Sequence, residues 1–176
     1  MRIVLSAFVL ALGISAARAQ EAPQVEARMT FDRLAEIVTE LDPDARQRGP
    51  MIELTLSDVP VMIIADPSAD RMRAMVPIRS ADGLDAEELM RLMQANFDTA
   101  LDARYAVAQG RLWGAFIHPL SSLEEDQLIS ALAQTVTVAL SYGQSYSSGA
   151  VTFGGGDSRG IYEDILRELL EKGEDL

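Results

Sequence analysis

Residues 103–120 read "ARYAVAQGRLWGAFIHPL", and the reading of this stretch decides the fold. Tyr105 and Val107 alternate with small residues, Gln109-Gly110 forms a two-residue turn, and Leu112 to Ile117 continue beyond it. That is the pattern of a β-hairpin. The stretch also holds the only tryptophan, Trp113, and the only histidine, His118. Alternation puts Trp113, Ala115 and Ile117 on one face and Leu112, Gly114 and Phe116 on the other. Both faces are apolar, which predicts a central strand covered on both sides, and one of the coverings can be a second subunit.

Working outward, Pro119 breaks the pairing. Ser121 or Ser122, with Glu124 or Glu125 three residues later, then opens a helix by the capping-box pattern. Its core stripe is Ile129, Leu132, Val136 and Leu140. Upstream, "GLDAEELMRLMQANFDTAL" is a second helix. Asp85 caps it, Leu84 and Leu89 staple the cap, and Leu89, Leu92, Met93 and Phe97 form its buried stripe.

Before that helix the period changes from helical spacing to alternation. Ile52, Leu54 and Leu56 alternate with Glu53 and Thr55, as in a half-buried strand. Ser57-Asp58 reads as a turn. Val61 to Ala65 is a continuous apolar run, suited to a central strand. "DPSAD" (66–70) is a further turn. Arg71 to Ile78 is a third strand, and Pro77 places its end near an edge. The chain before these strands forms a helix, with Phe31, Leu34, Ile37, Val38 and Leu41 on one face, Thr30 as cap and Pro43 as stop. The expected architecture is an α+β domain of order α-β-β-β-α-β-β-α, with helices packed on an antiparallel sheet of about five strands.

The ends carry different information. Arg2, the apolar run Ile3 to Ile14 and the small-x-small site Ala17-Arg18-Ala19 predict a signal peptide over 1–19, with cleavage after Ala19. The expected location is therefore periplasmic or secreted. Residues 20–28 form a loose lead-in, 29–142 the α+β domain, 143–160 a Gly/Ser-rich linker and 161–176 an amphipathic helix with Ile161, Ile165, Leu169 and Leu170 on one side. Removing Arg2 and Arg18 takes the formal charge from −12 to −14. So acidic a chain argues against nucleic acid, and against an anionic membrane after cleavage. There is no cysteine, which excludes disulfides and thiol chemistry.

This element order resembles the YbjN family of bacterial proteins, some of which are labelled sensory transduction regulators. That family shares the fold of type III secretion chaperones. The resemblance covers about residues 29–142 and rests on "FDRLAEIVTELD", on "VPVMIIADP" before a further hydrophobic strand, and on "ARYAVAQGRLWGAFIHPL" leading into "SSLEEDQLISAL". It implies a protein-binding or regulatory module, often dimeric, with no catalytic residue to carry over.

Chemistry is sparse. "GQSYS" around Ser145 lacks the second glycine of a nucleophile elbow, so a hydrolase built on His118 is the weaker alternative. Met72/Met75 and Met90/Met93 have Met-x-x-Met spacing, which raises copper(I) handling as another alternative. On a strand, however, Met72 and Met75 point to opposite faces, and core filling explains methionine as well. No carboxylate run has calcium-loop spacing, and "FGGGDSRG" is not a dinucleotide fingerprint. The reading is a non-catalytic module without cofactor or metal, binding an unidentified protein and forming a homodimer. Trp113, Phe116, Met72 and Met75 are its candidate partner or dimer surface.

Overall fold

The computed structural model describes residues 27–98, 101–143 and 159–173. The expected signal peptide, most of the lead-in and most of the 143–160 linker lie outside these residues. The described chain is α+β, as expected. In order it forms α1 (Phe31–Leu41), β1 (Arg46–Arg48), β2 (Met51–Leu56), β3 (Val59–Asp66), β4 (Arg71–Ser80), α2 (Ala86–Asp98), β5 (Arg104–Ala108), β6 (Arg111–His118), α3 (Glu125–Leu140) and α4 (Arg159–Gly173). The strands make one antiparallel sheet in the order β1-β2-β3-β4-β6-β5.

The sheet has six strands rather than five. The extra one, β1, is the three exposed residues "RQR". A polar edge strand buries nothing, so it leaves no hydrophobic period to read. Both two-residue hairpin turns have their residues at positive φ, at Ser57 (47°) and Asp58 (63°), and at Gln109 (51°) and Gly110 (69°). Such turns match the twist of the strands they join. Pro77 does not mark an edge, because β4 lies between β3 and β6. The pairing register shifts between Pro77 and Arg79, so the proline sits at an irregularity, where a missing N–H is tolerated.

Helices cover one face of the sheet. Thr30 caps α1 by accepting from the Arg33 N–H at 3.2 Å. Leu34, Ile37, Val38 and Leu41 then turn inward. α3 is buried nearly all round, which shows it to be the central helix of the layer. It runs close over β6. A Cβ on Gly114 would lie 3.1 Å from the Thr135 carbonyl oxygen and 3.3 Å from Val138 Cγ1, so only glycine allows this approach. The Tyr105 hydroxyl donates to the Val138 carbonyl at 2.7 Å, fixing α3 over β5 as well.

The cap of α3 differs from expectation. The backbone N–H of Glu124 donates to the Gln127 side chain at 3.1 Å, so the box at the head of α3 is Glu124/Gln127. Ser121 instead holds Asp70. Its N–H and hydroxyl donate to the two carboxylate oxygens at 2.7 and 2.9 Å. This ties the β3–β4 turn to the β6–α3 connection. α4 packs on α1 and α3 of its own chain, burying Ile165 and Leu169. The Tyr162 and Ser130 hydroxyls meet at 3.0 Å, and Ser57 donates to Glu168 at 3.0 Å. A helix of this length is marginal alone, and these contacts stabilise it.

α2 is the largest departure. Asp85 caps it as expected, accepting from Glu88 N–H at 2.8 Å. Its expected buried stripe is mostly outside the core. Leu92 is buried together with Ala95, whereas Leu89, Met93 and Phe97 are exposed, Phe97 by 76%. Helical spacing shows that residues share a face, but not that the same chain covers it. The inner side of α2 does other work. Asn96 accepts from the Tyr105 N–H at 2.7 Å and donates to the Tyr105 carbonyl at 3.1 Å. It thus occupies backbone groups at the outer edge of β5 that would otherwise recruit another strand.

Candidate partner-binding face

The register defines the other face of the sheet. Reading across the strands, Arg46, Glu53, Met62, Met75, Ala115 and Arg104 stand in one row. Beside it run Arg48, Met51, Ile64, Arg73 and Ile117. No helix of the described residues lies over these rows. Ile64 is 38% exposed and Ile117 is 56% exposed, while Met51, Met62, Met75, Trp113 and Ala115 are half-buried by their neighbours on the sheet. The expected double covering of β3 and β6 is therefore absent within the described chain. Both strands are central, yet one side of each is open.

The four residues expected at a partner surface divide between the two faces. Trp113 and Met75 lie on the open face. Met72 and Phe116 lie under the helices, 1% and 5% exposed, and belong to the core. The parity of the strands dictates this, since Phe116 alternates with Ala115, and Met72 is three residues from Met75. Trp113 lies down on the sheet. Its indole N–H donates to the Ala108 carbonyl at 3.0 Å, and the Arg111 guanidinium stands 5.8 Å from the ring centroid.

Sequence reasoning missed the arginines. Arg46, Arg48, Arg71, Arg73, Arg104 and Arg111 all take the open parity of their strands. Among the described residues, Arg48 alone of the six meets a carboxylate, that of Glu53 at 3.7 Å. Arg71 and Arg104 donate to backbone carbonyls of Asp70, Leu101 and Ala103. Asp66, directly across from Arg71, accepts instead from the Ser68 and Ala69 N–H groups of its own turn. Most of the described cations elsewhere behave differently. Arg33 pairs with Glu125, Arg79 with Glu88, Arg91 with Glu87, Arg159 with Glu163, Arg167 with Asp164 and Lys172 with Glu168. The alternation signal was available in the sequence: Arg71, Arg73 and Met75 share one parity, as do Arg111 and Trp113. A hollow of about 380 Å³ is lined by Ile64, Asp66, Arg71, Met72, Arg73 and Ile117.

The alternatives have their own geometry. His118 ends β6 on the covered parity and stacks on Phe116 with centroids 5.9 Å apart. Its Nδ1 is 2.8 Å from the Pro119 carbonyl oxygen. It lines a hollow with Ser130 and Asp126. Among the described residues no hydrogen bond joins it to either. The Ser130 hydroxyl contacts Tyr162 and accepts from Gln134 instead. A nucleophile without its base is not activated. Met90 and Met93 lie exposed on α2 with Leu89 and Phe97, an apolar stripe rather than an enclosed thioether site.

Two of the shifted titrating groups tie elements together. The Ser121 N–H and then its hydroxyl hold Asp70 below the usual carboxylate range. Burial pushes the Tyr142 hydroxyl up, and its donation to Glu88 adds to this. Both groups join elements at the rim of the fold, and Asp70 also lies next to Arg71, whose charge lowers its pKa further.

No family model matches this sequence, and no curated protein matches it. Among solved structures the chain is similar to a crystal structure of the ExsC–ExsE complex, at 14% identity over 63% of this chain and 91% of that chain, with a TM-score of 0.49. Likeness at this level describes chain course and carries no functional inference.

Proposed function

We propose that this protein is an exported, YbjN-like, non-catalytic module that binds another protein through the open face of its sheet. The single observation carrying the reading is the one-sided covering of the sheet, which leaves Met62, Ile64, Met75, Trp113 and Ile117 as an apolar floor open to solvent. Contiguous exposed apolar surface of this kind marks interaction sites. Methionine suits such a surface, because its unbranched side chain adapts to different partners.

The test is site-specific photocrosslinking in the cell of origin. A crosslinking residue at Ile117 should give discrete adducts, and one at the exposed Glu40 on α1 should not. Identical adduct patterns at both positions would remove the reading.

A second observation supports a homodimer on a separate surface. α2 presents Leu89, Met90, Met93 and Phe97 to solvent along one stripe. A helix stripe without charges is self-complementary about a two-fold axis. Phe97→Glu should convert a dimer to a monomer in sedimentation velocity. A wild-type monomer at all concentrations would sink the dimer.

A further inference from the structure

We infer that the segment seated on the open face is acidic as well as apolar; this rests on the protein-binding reading above and specifies its partner. Six arginines share this face with two carboxylates, Glu53 and Asp66, and among the described residues five of the six stand beyond ion-pairing distance of any carboxylate, although the charge of Arg71 is felt by Asp70. An acidic protein has carboxylates to spare, and outside this face its described cations largely use them. On the open face the guanidinium groups stand around an apolar floor with donors to offer. Arginine forks bind carboxylates with two parallel hydrogen bonds, so this arrangement selects acidic side chains flanking apolar ones.

The register gives dimensions. Arg46 and Arg104 end the row that holds Met62, Met75 and Ala115. Five inter-strand steps of about 4.8 Å separate the ends, so a segment crossing the whole row spans about 24 Å. Arg73 stands in the adjacent row between Ile64 and Ile117. Glu53 stands beside Arg46 in this row, so the complementary segment carries carboxylates toward the Arg104 end and near the middle beside Arg73, with aliphatic or aromatic residues between.

Other occupants fit less well. A second copy docked face to face would set arginine against arginine, which like charges disfavour. An anionic membrane would attract the arginines, but the acidic body opposes approach. Trp113 is also bonded down onto the sheet rather than free to insert.

The test selects a phage-displayed library of random 12-residue peptides on the full chain. Enrichment of peptides rich in Asp and Glu interspersed with apolar residues is expected. Fluorescence anisotropy of the strongest binder should show about a tenfold loss in Arg73→Gln/Arg104→Gln and weakening with salt, with Arg91→Gln as a silent control. Thermal melts of Arg91→Gln and of Arg73→Gln alone should match wild type, while Arg104→Gln also gives up its bonds to the Leu101 and Ala103 carbonyls, so the Arg73→Gln single variant separates binding from stability. Binders without acidic bias that are lost in Ile117→Ser would overturn this inference and leave the protein-binding reading standing. Acidic binders indifferent to the arginine variant would overturn the location. Cosedimentation with phosphatidylglycerol vesicles, lost in the same variant, would replace the peptide by a membrane. Dissociation of a dimer by Ile117→Glu would assign the face to a second copy. No binders, together with no crosslink from Ile117, would end both readings.

Discussion

The two sides of one strand behave as two kinds of surface. In β3, Ile63 is fully buried and Ile64, its neighbour, is 38% exposed. In β6, Gly114 is pressed against α3 while Ala115 looks out over a row ending in arginines. The covered side is close-packed and its one strand arginine, Arg79 at the end of β4, is paired with Glu88. The open side mixes an apolar floor with six arginines and two carboxylates. A strand apolar on both sides is therefore no guarantee that its own chain covers both. The difference is carried by what surrounds the apolar residues, since arginines at open parity have no use in a core.

The sharpest way to break this comparison is a pair of alanine substitutions on adjacent residues. Ile63→Ala removes side-chain atoms from a site with no room to collapse and should cost about 3 kcal/mol of unfolding free energy. Ile64→Ala should cost about 0.5 kcal/mol, because its side chain already meets water. Urea unfolding of both variants reads the ratio directly. Equal losses would mean that the open face is covered in solution.

A smaller effect comes from adding volume instead of removing it. Gly114→Val should destabilise by about 2 kcal/mol, since the new side chain meets the Thr135 carbonyl and Val138. Ala115→Val should change stability by less than about 0.5 kcal/mol, and β-branching suits an open strand. Thermal denaturation separates the two. Tolerance at position 114 would show that α3 is not held where Tyr105 and Val138 place it.

These contrasts also show what the sequence carried and what it did not. The hairpin at 103–120, the caps Thr30 and Asp85 and the turns at 57–58 and 109–110 were legible because each is decided within a few residues. Strand β1 was not, because "RQR" pairs through its backbone alone. The stripe of α2 was half legible. Leu89, Met93 and Phe97 share a face as spacing requires, but that face points out, and amphipathicity names no partner. Of the expected surface residues, parity could have separated Trp113 and Met75 from Phe116 and Met72. The arginines were equally readable in parity. They became a feature only when the register set six strands side by side.

Charge gives the third contrast. Arg73 makes no ion pair or side-chain hydrogen bond among the described residues, so Arg73→Gln should leave the urea midpoint within about 0.1 M of wild type at neutral pH. A measurable loss would place Arg73 in a structural contact rather than a binding one.

The smallest effect belongs to a carboxylate whose partners are fixed. Asp70 accepts from the N–H and hydroxyl of Ser121, and these bonds lower its pKa below the ordinary 3.8. A group with a depressed folded pKa adds stability that is present above its unfolded pKa and is lost as pH falls through the folded one. The contribution of Asp70 is thus complete at neutral pH and fades below about pH 4. Asp70→Asn keeps the shape and tolerates the left-handed backbone at this position (φ 51°), but removes the charge. The variant should be slightly less stable than wild type at pH 7, and the gap should close toward pH 2.5. Urea midpoints along a pH series read this. A gap that stays constant with pH would mean that shape, and not charge, holds the β3–β4 turn to the start of α3. The contrast between paired charges on the fold's rim and unpaired ones on its open face would then lose one of its two sides.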